Sequence, residues 1–222
     1  MNKIRNNIIA LLWIFTIPLS NVIYQLLNNN GRGANSLVTD FDRSTPFVAA
    51  FAVPYLLWFL FIGVTLAYLC FKDRSTYYKT LMAVNISLIA CYVIYYFYQT
   101  TVPRPQLVAN DIFTKLVGFI YSSDQPFNCF PSIHCLTSYI MMKAIYSSSV
   151  RNAISTLVVY GSAILIILST LFIKQHVVLD AISAILLGGA VFDLVSKFYG
   201  ERMPKWVKKQ FSLLTMRKKL ET

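Results

Sequence analysis

Charge is what this chain most conspicuously lacks. Asp, Glu, Lys and Arg make up 13% of its 222 residues, against 56% hydrophobic, whereas a globular chain carries nearer a quarter charged. That shortage excludes a soluble domain and leaves no room for a separate one, so residues 1–222 read as a single membrane-embedded domain of a polytopic protein. Acidic residues are scarcer still, nine against twenty Lys and Arg, for a net charge of +11. Nucleic-acid binders carry a surplus of that size. Here, however, the basic residues sit between and after apolar runs and form no aromatic-interleaved basic surface, so no nucleic-acid partner is expected. No small-x-small cleavage site follows the first apolar stretch, which therefore reads as a retained helix and not as a signal peptide. Four cysteines occur. Cys129 and Cys135 flank Pro131-Ser132-Ile133-His134, but Cys135 begins a helix, and free thiols are expected; Cys70 and Cys91 read as small packing residues inside spans.

What is present is a series of apolar runs. About 20 apolar residues cross a bilayer, and six such spans are read: Ile8 to Leu27, Pro46 to Phe71, Thr80 to Tyr98, Ser132 to Tyr146, Ala153 to Ile173 and Val177 to Phe198. The fold class expected is all-α, a six-transmembrane-helix bundle, with Pro18 bending the first span. Asn28 to Thr45 reads as an exposed loop. Between spans three and four, Asp111 to Tyr121 spaces Ile112, Leu116, Phe119 and Ile120 for a short interfacial helix. From Arg202 to Lys219 a basic tail puts Met203, Val207, Phe211 and Leu214 on one face, as a helix resting on anionic lipid would. Gly188 and Gly189 permit a close helix crossing, and Asp193 is expected to pair within the bundle.

The basic residues also orient the chain. With both termini in the cytoplasm only Arg32, Arg43, Arg104, Lys115 and Lys174 fall outside, leaving fifteen of the twenty inside. That orientation places the end of span three, the start of span four and the junction of spans five and six on the extracytoplasmic face of the cell membrane. Arg104, His134 and His176 fall at those three places. His176 has Asp180 four residues on, one helical turn away on the same face. An ionisable pair at the edge of hydrocarbon is expensive to keep and marks a water-facing site.

In order, Arg104-Pro105, Pro131-Ser132-Ile133-His134, and Ser169 with His176 and Asp180 resemble the three-part signature of the type 2 phosphatidic acid phosphatase superfamily, K-x6-R-P, P-S-G-H and S-R-x5-H-x3-D. The sequence departs from it at Phe97, Ile133 and Thr170, which stand where the family has Lys, Gly and Arg. Lys174 is the candidate for a replacement cation. The pattern around the second and third motifs is also similar to the inositol phosphorylceramide and sphingomyelin synthase branch. The resemblance implies a membrane lipid phosphate phosphatase or, alternatively, a lipid phosphotransferase. His176, Asp180 and His134 would be catalytic; Arg104, Lys174, Ser132 and Ser169 would bind a lipid phosphate. No cofactor or metal is expected, and no oligomeric state is implied.

Overall fold

The computed structural model describes residues 2–202, and the basic tail beyond Arg202 lies outside the described residues. Ten α-helices are found there: α1 (Asn2–Leu12), α2 (Thr16–Leu27), α3 (Asp40–Ser44), α4 (Ala52–Leu56), α5 (Trp58–Lys72), α6 (Arg74–Phe97), α7 (Ile112–Ser123), α8 (Ile133–Ser147), α9 (Ala153–Phe172) and α10 (Val178–Arg202). Two short strands, β1 (Asn35–Ser36) and β2 (Thr100–Thr101), pair in parallel.

Proline explains the breaks near the start. Pro18 has no N–H to donate to the Ile14 carbonyl, and the chain tightens into a 3-10 turn at Trp13–Phe15 between α1 and α2. Pro54 likewise cannot donate to Ala50, and a 3-10 turn at Ala49–Phe51 precedes α4. Side-chain caps start the later helices: Asp73 on α6, Asp111 on α7, Ser132 on α8, and Asn152 in a capping box with Ser155 on α9.

Five helical stretches are long and apolar enough to cross a bilayer: Asn7–Leu27, Ala49–Lys72, Arg74–Phe97, Ala153–Phe172 and Val178–Tyr199. They point to a membrane protein. The sixth span expected from sequence falls on α8, which has 15 residues. At 1.5 Å per residue that is about 22 Å, short of a hydrocarbon core of about 30 Å. Its position is central: α8 packs against α5, α6, α9 and α10, and every residue from Ile133 to Ser138 is buried. The surrounding helices turn Leu19, Leu26, Phe97, Leu157 and Leu186 outward, while Thr80, Ser87, Thr137 and Ser138 lie inside. Apolar outside with small polar groups inside is the pattern of helices solvated by lipid.

α10 approaches α8 closely. A Cβ on Gly188 would lie 3.2 Å from the Leu136 carbonyl oxygen, and one on Gly189 would lie 3.1 Å from the Tyr139 ring. Lys143 and Asp193 pair across the same two helices at 2.6 Å.

Polar ties close both ends of the bundle. At one end the Asp73 carboxylate accepts from the Thr76 N–H at 3.1 Å and from the Ser149 N–H at 2.8 Å, joining the α5–α6 turn to the α8–α9 turn. At the other end Tyr95 donates to the Pro131 carbonyl, the Ser132 N–H donates to the Asp180 carbonyl, and the Val178 N–H donates to the Asp42 carboxylate. The end of α6, the start of α8 and the α9–α10 junction therefore meet.

Candidate active site

The α9–α10 junction builds the first half of the site. α9 stops when Lys174 takes a left-handed backbone, φ 55°, and the Thr170 carbonyl accepts from both the Gln175 and His176 N–H groups at 3.0 Å. This reversal sets His176 one turn ahead of Asp180. Their contact, Nδ1 to Oδ2, is 3.3 Å, and the same carboxylate oxygen accepts from the Val177 N–H at 2.9 Å. An Asp180 carboxylate that accepts this contact places the imidazole proton on Nδ1 and leaves the lone pair on Nε2. Both residues are buried, and Asp180 Oδ1 has no hydrogen-bond partner.

The first turn of α8 supplies the second half. Ser132 caps that helix through the Cys135 N–H, and His134 follows two residues later with its ring centroid 5.8 Å from that of His176. Tyr55 and Trp58 wall the His134 ring at centroid distances of 4.4 and 4.2 Å. Trp58 is itself anchored to α8 by its indole N–H, which donates to Thr137 at 2.8 Å. Tyr55 donates its hydroxyl to Asp124, whose carboxylate also accepts from Tyr24 and Asn28. His134 Nδ1 has no protein partner.

Arg104 completes the cluster from the α6–α7 connection. Its guanidinium lies over the Tyr121 ring, 4.3 Å from the centroid, and donates to the Tyr121 and Asp124 carbonyls and to the Gln175 side-chain oxygen. Gln175 precedes His176, so this bond ties the guanidinium to the α9–α10 junction. Arg104 Nε and Gln175 Nε2 are buried donors without partners.

The other expected residues are placed differently. Lys174 directs its ammonium to the carbonyls of Asp42 and Thr45. Burial lowers its pKa, and nearby Asp42 acts in the opposite sense. The Ser169 hydroxyl donates to the Ile166 carbonyl. Cys129 and Cys135 are free thiols, and Cys129 places its sulfur beside His176 and Asp180. Tyr55, Trp58, Asp124 and Gln175 carry no motif and enter the site only through the fold. Asp42, expected in a solvated loop, is buried and caps α10, with hydrogen bonds from Thr39 and Val178 holding its carboxyl low although burial would raise it.

A buried imidazole backed by a carboxylate, a second imidazole within 6 Å and a guanidinium tied to the same junction suit transfer of a compact anionic group. The basic Nε2 can attack, the second ring can move a proton, and the cation can balance charge. Residues 76–204 match the family model described as the PAP2 superfamily. No curated protein matches the chain, and no solved structure does. The matched stretch contains both histidines, Asp180 and Arg104, while Tyr55 and Trp58, which wall His134, and Asp42, which caps α10, lie before it.

Proposed function

Because the chain belongs to the PAP2 superfamily, whose members are phosphatases, we propose that it is an integral-membrane lipid phosphate phosphatase working through a phosphohistidine. The observation that carries this is the His176–Asp180 contact set 5.8 Å, ring to ring, from His134. His176 Nε2 attacks the terminal phosphorus, the N–P bond forms as the bond from phosphorus to the leaving oxygen breaks, and His134 protonates that oxygen, which belongs to an alcohol for a monoester and to a lipid monophosphate for a diphosphate. Water then gives a proton to His134 while its oxygen bonds phosphorus, the N–P bond breaks and inorganic phosphate leaves. Arg104 and the unpartnered Gln175 amide balance the equatorial oxygens.

A lipid substrate is supported by an apolar groove of about 650 Å³ between α5 and α9, walled by Leu57, Phe61, Val64, Val158 and Leu165. Its upper end reaches Pro54 and Leu57, neighbours of the two aromatics on His134. In this reading α8 is a fourth, centrally buried span of six and α7 lies at the interface. The charge bias favours cytoplasmic termini and a site on the extracytoplasmic face.

The purified protein is expected to release inorganic phosphate in EDTA from phosphatidate, phosphatidylglycerophosphate or an isoprenyl diphosphate. His176→Ala should lower the rate by at least about 10³-fold; a variant of undiminished activity removes the nucleophile. The aromatic walls around His134 favour one second reading, a lipid alcohol as acceptor in place of water. Labelled headgroup on an added acceptor lipid, in excess of free phosphate, would establish it.

A further inference from the structure

We propose that Cys129, His176 and Asp180 form a binding site for a thiophilic divalent cation, Zn²⁺ or Cd²⁺, whose occupancy shuts the nucleophile down. One donor atom from each residue lies within 4.8 Å of the other two. All three side chains are buried, Asp180 completely. Asp180 Oδ1 has no hydrogen-bond partner, so a carboxylate lone pair is available without breaking an existing bond.

The donor set selects the ion. One sulfur, one imidazole nitrogen and one carboxylate oxygen suit Zn²⁺ or Cd²⁺, and they do not suit Mg²⁺ or Ca²⁺, which take oxygen shells. Tetrahedral bonds of about 2.0 to 2.3 Å put donors roughly 3.3 to 3.8 Å apart. The cluster must therefore contract by up to about 1.5 Å on binding. Binding forms metal–sulfur and metal–nitrogen bonds, releases the Cys129 proton to solvent and moves the His176 proton from Nδ1, the nitrogen that faces Asp180, to Nε2. The thiolate and the Asp180 carboxylate then offset the dication. Arg104 is the neighbouring positive charge, and its guanidinium donates to the Tyr121 and Asp124 carbonyls and to the Gln175 side chain.

Cys129 has no part in the proposed hydrolysis, whereas a His176 ring that holds the metal on Nδ1 carries its proton on Nε2 and has no lone pair there to attack phosphorus. Inhibition therefore rests on the phosphohistidine reading, but binding does not, and the two can be measured separately. The full-length protein in detergent is titrated with Cd²⁺ alone, following the ultraviolet thiolate-to-cadmium charge-transfer band and, in parallel, phosphate release from a lipid phosphate.

The expected result is a one-to-one band with matching loss of hydrolysis. In Cys129→Ser the band should vanish and half-inhibition should need at least about ten-fold more Cd²⁺, with hydrolysis in EDTA retained. An unchanged band and unchanged inhibition in that variant overturn the site. A band without any hydrolysis in EDTA upholds the site and sinks the catalytic reading. If Cys129→Ser does not fold, X-ray absorption on the cadmium-loaded wild type decides: one sulfur with nitrogen and oxygen neighbours supports the site, and an all-oxygen or multi-sulfur shell refutes it.

Discussion

Tyr55 is a single residue through which much of the site is held. Its ring packs on His134 and its hydroxyl reaches Asp124, so the two contacts can be separated by substitution. Tyr55→Phe keeps the ring and should leave kcat within about ten-fold of wild type, whereas Tyr55→Ala opens one wall of His134 and should cost at least ten times more than the phenylalanine variant. Equal losses in the two would assign the effect to the hydroxyl instead. Lys174 offers a second test. A left-handed backbone costs a side-chain-bearing residue about 1 to 2 kcal/mol, and both Lys174→Ala and Lys174→Gly lose the ties to Asp42 and Thr45. The glycine variant should therefore unfold later than the alanine variant by about 1 kcal/mol in detergent, read from paired melting curves.

At the scale of elements, α8 and α10 cross closely. An added methyl at Gly188 meets backbone, the Leu136 carbonyl, whereas at Gly189 it meets a ring that can turn. Gly188→Ala should destabilise by about 1 to 3 kcal/mol and Gly189→Ala by less, measured as thermal midpoints; the reverse order would mean the helices separate easily. The turn at the opposite end depends on Asp73. Burial alone would raise its carboxyl, but hydrogen bonds from Ser149 and Thr76 bring it down to about 2. A folded pKa below the unfolded value stabilises above about pH 4 and ceases to as pH falls towards 2. The melting gap between wild type and Asp73→Asn should accordingly be full at pH 5 and close across that window. A gap that stays constant to pH 2 would show that the carboxylate is not what joins the two turns.

For the whole molecule, sidedness is the property to measure. The native cysteines are buried, so a membrane-impermeant maleimide has little to label on the intact protein. Asn110→Cys, before α7, should react in intact cells, and Arg151→Cys, between α8 and α9, only after permeabilisation. Labelling of both from outside would contradict a crossing by α8 and, with it, the six-span reading.

Legibility follows the distance over which each feature is decided. His176 and Asp180 are readable because one helical turn brings them together whatever else the chain does, and the long apolar runs are readable because lipid exposure acts on every residue of a span. Gly188 and Gly189 announce a close approach through the absence of a side chain, although not the partner that α8 supplies. The aromatic walls of His134 were not legible: Tyr55 and Trp58 sit in a run as apolar as any other and gain a role only when the end of α4 and the start of α5 meet the first turn of α8. Cys129 read as an ordinary free thiol for the same reason, since its neighbours lie some fifty residues on. Lys174 reads as a replacement for the Arg that the motif lacks at Thr170, yet its ammonium goes to carbonyls that a segment more than a hundred residues earlier presents.

Composition and local periodicity, acting through burial in lipid and hydrogen bonding within a turn, determined the helices, the motif order and the paired His176 and Asp180. Docking of distant segments decided what surrounds them: a short central α8, Arg104 tied to the α9–α10 junction through Gln175, and a thiol beside the imidazole. Those contacts depend on the mutual fit of side chains far apart in the chain, and no stretch of sequence contains that fit by itself.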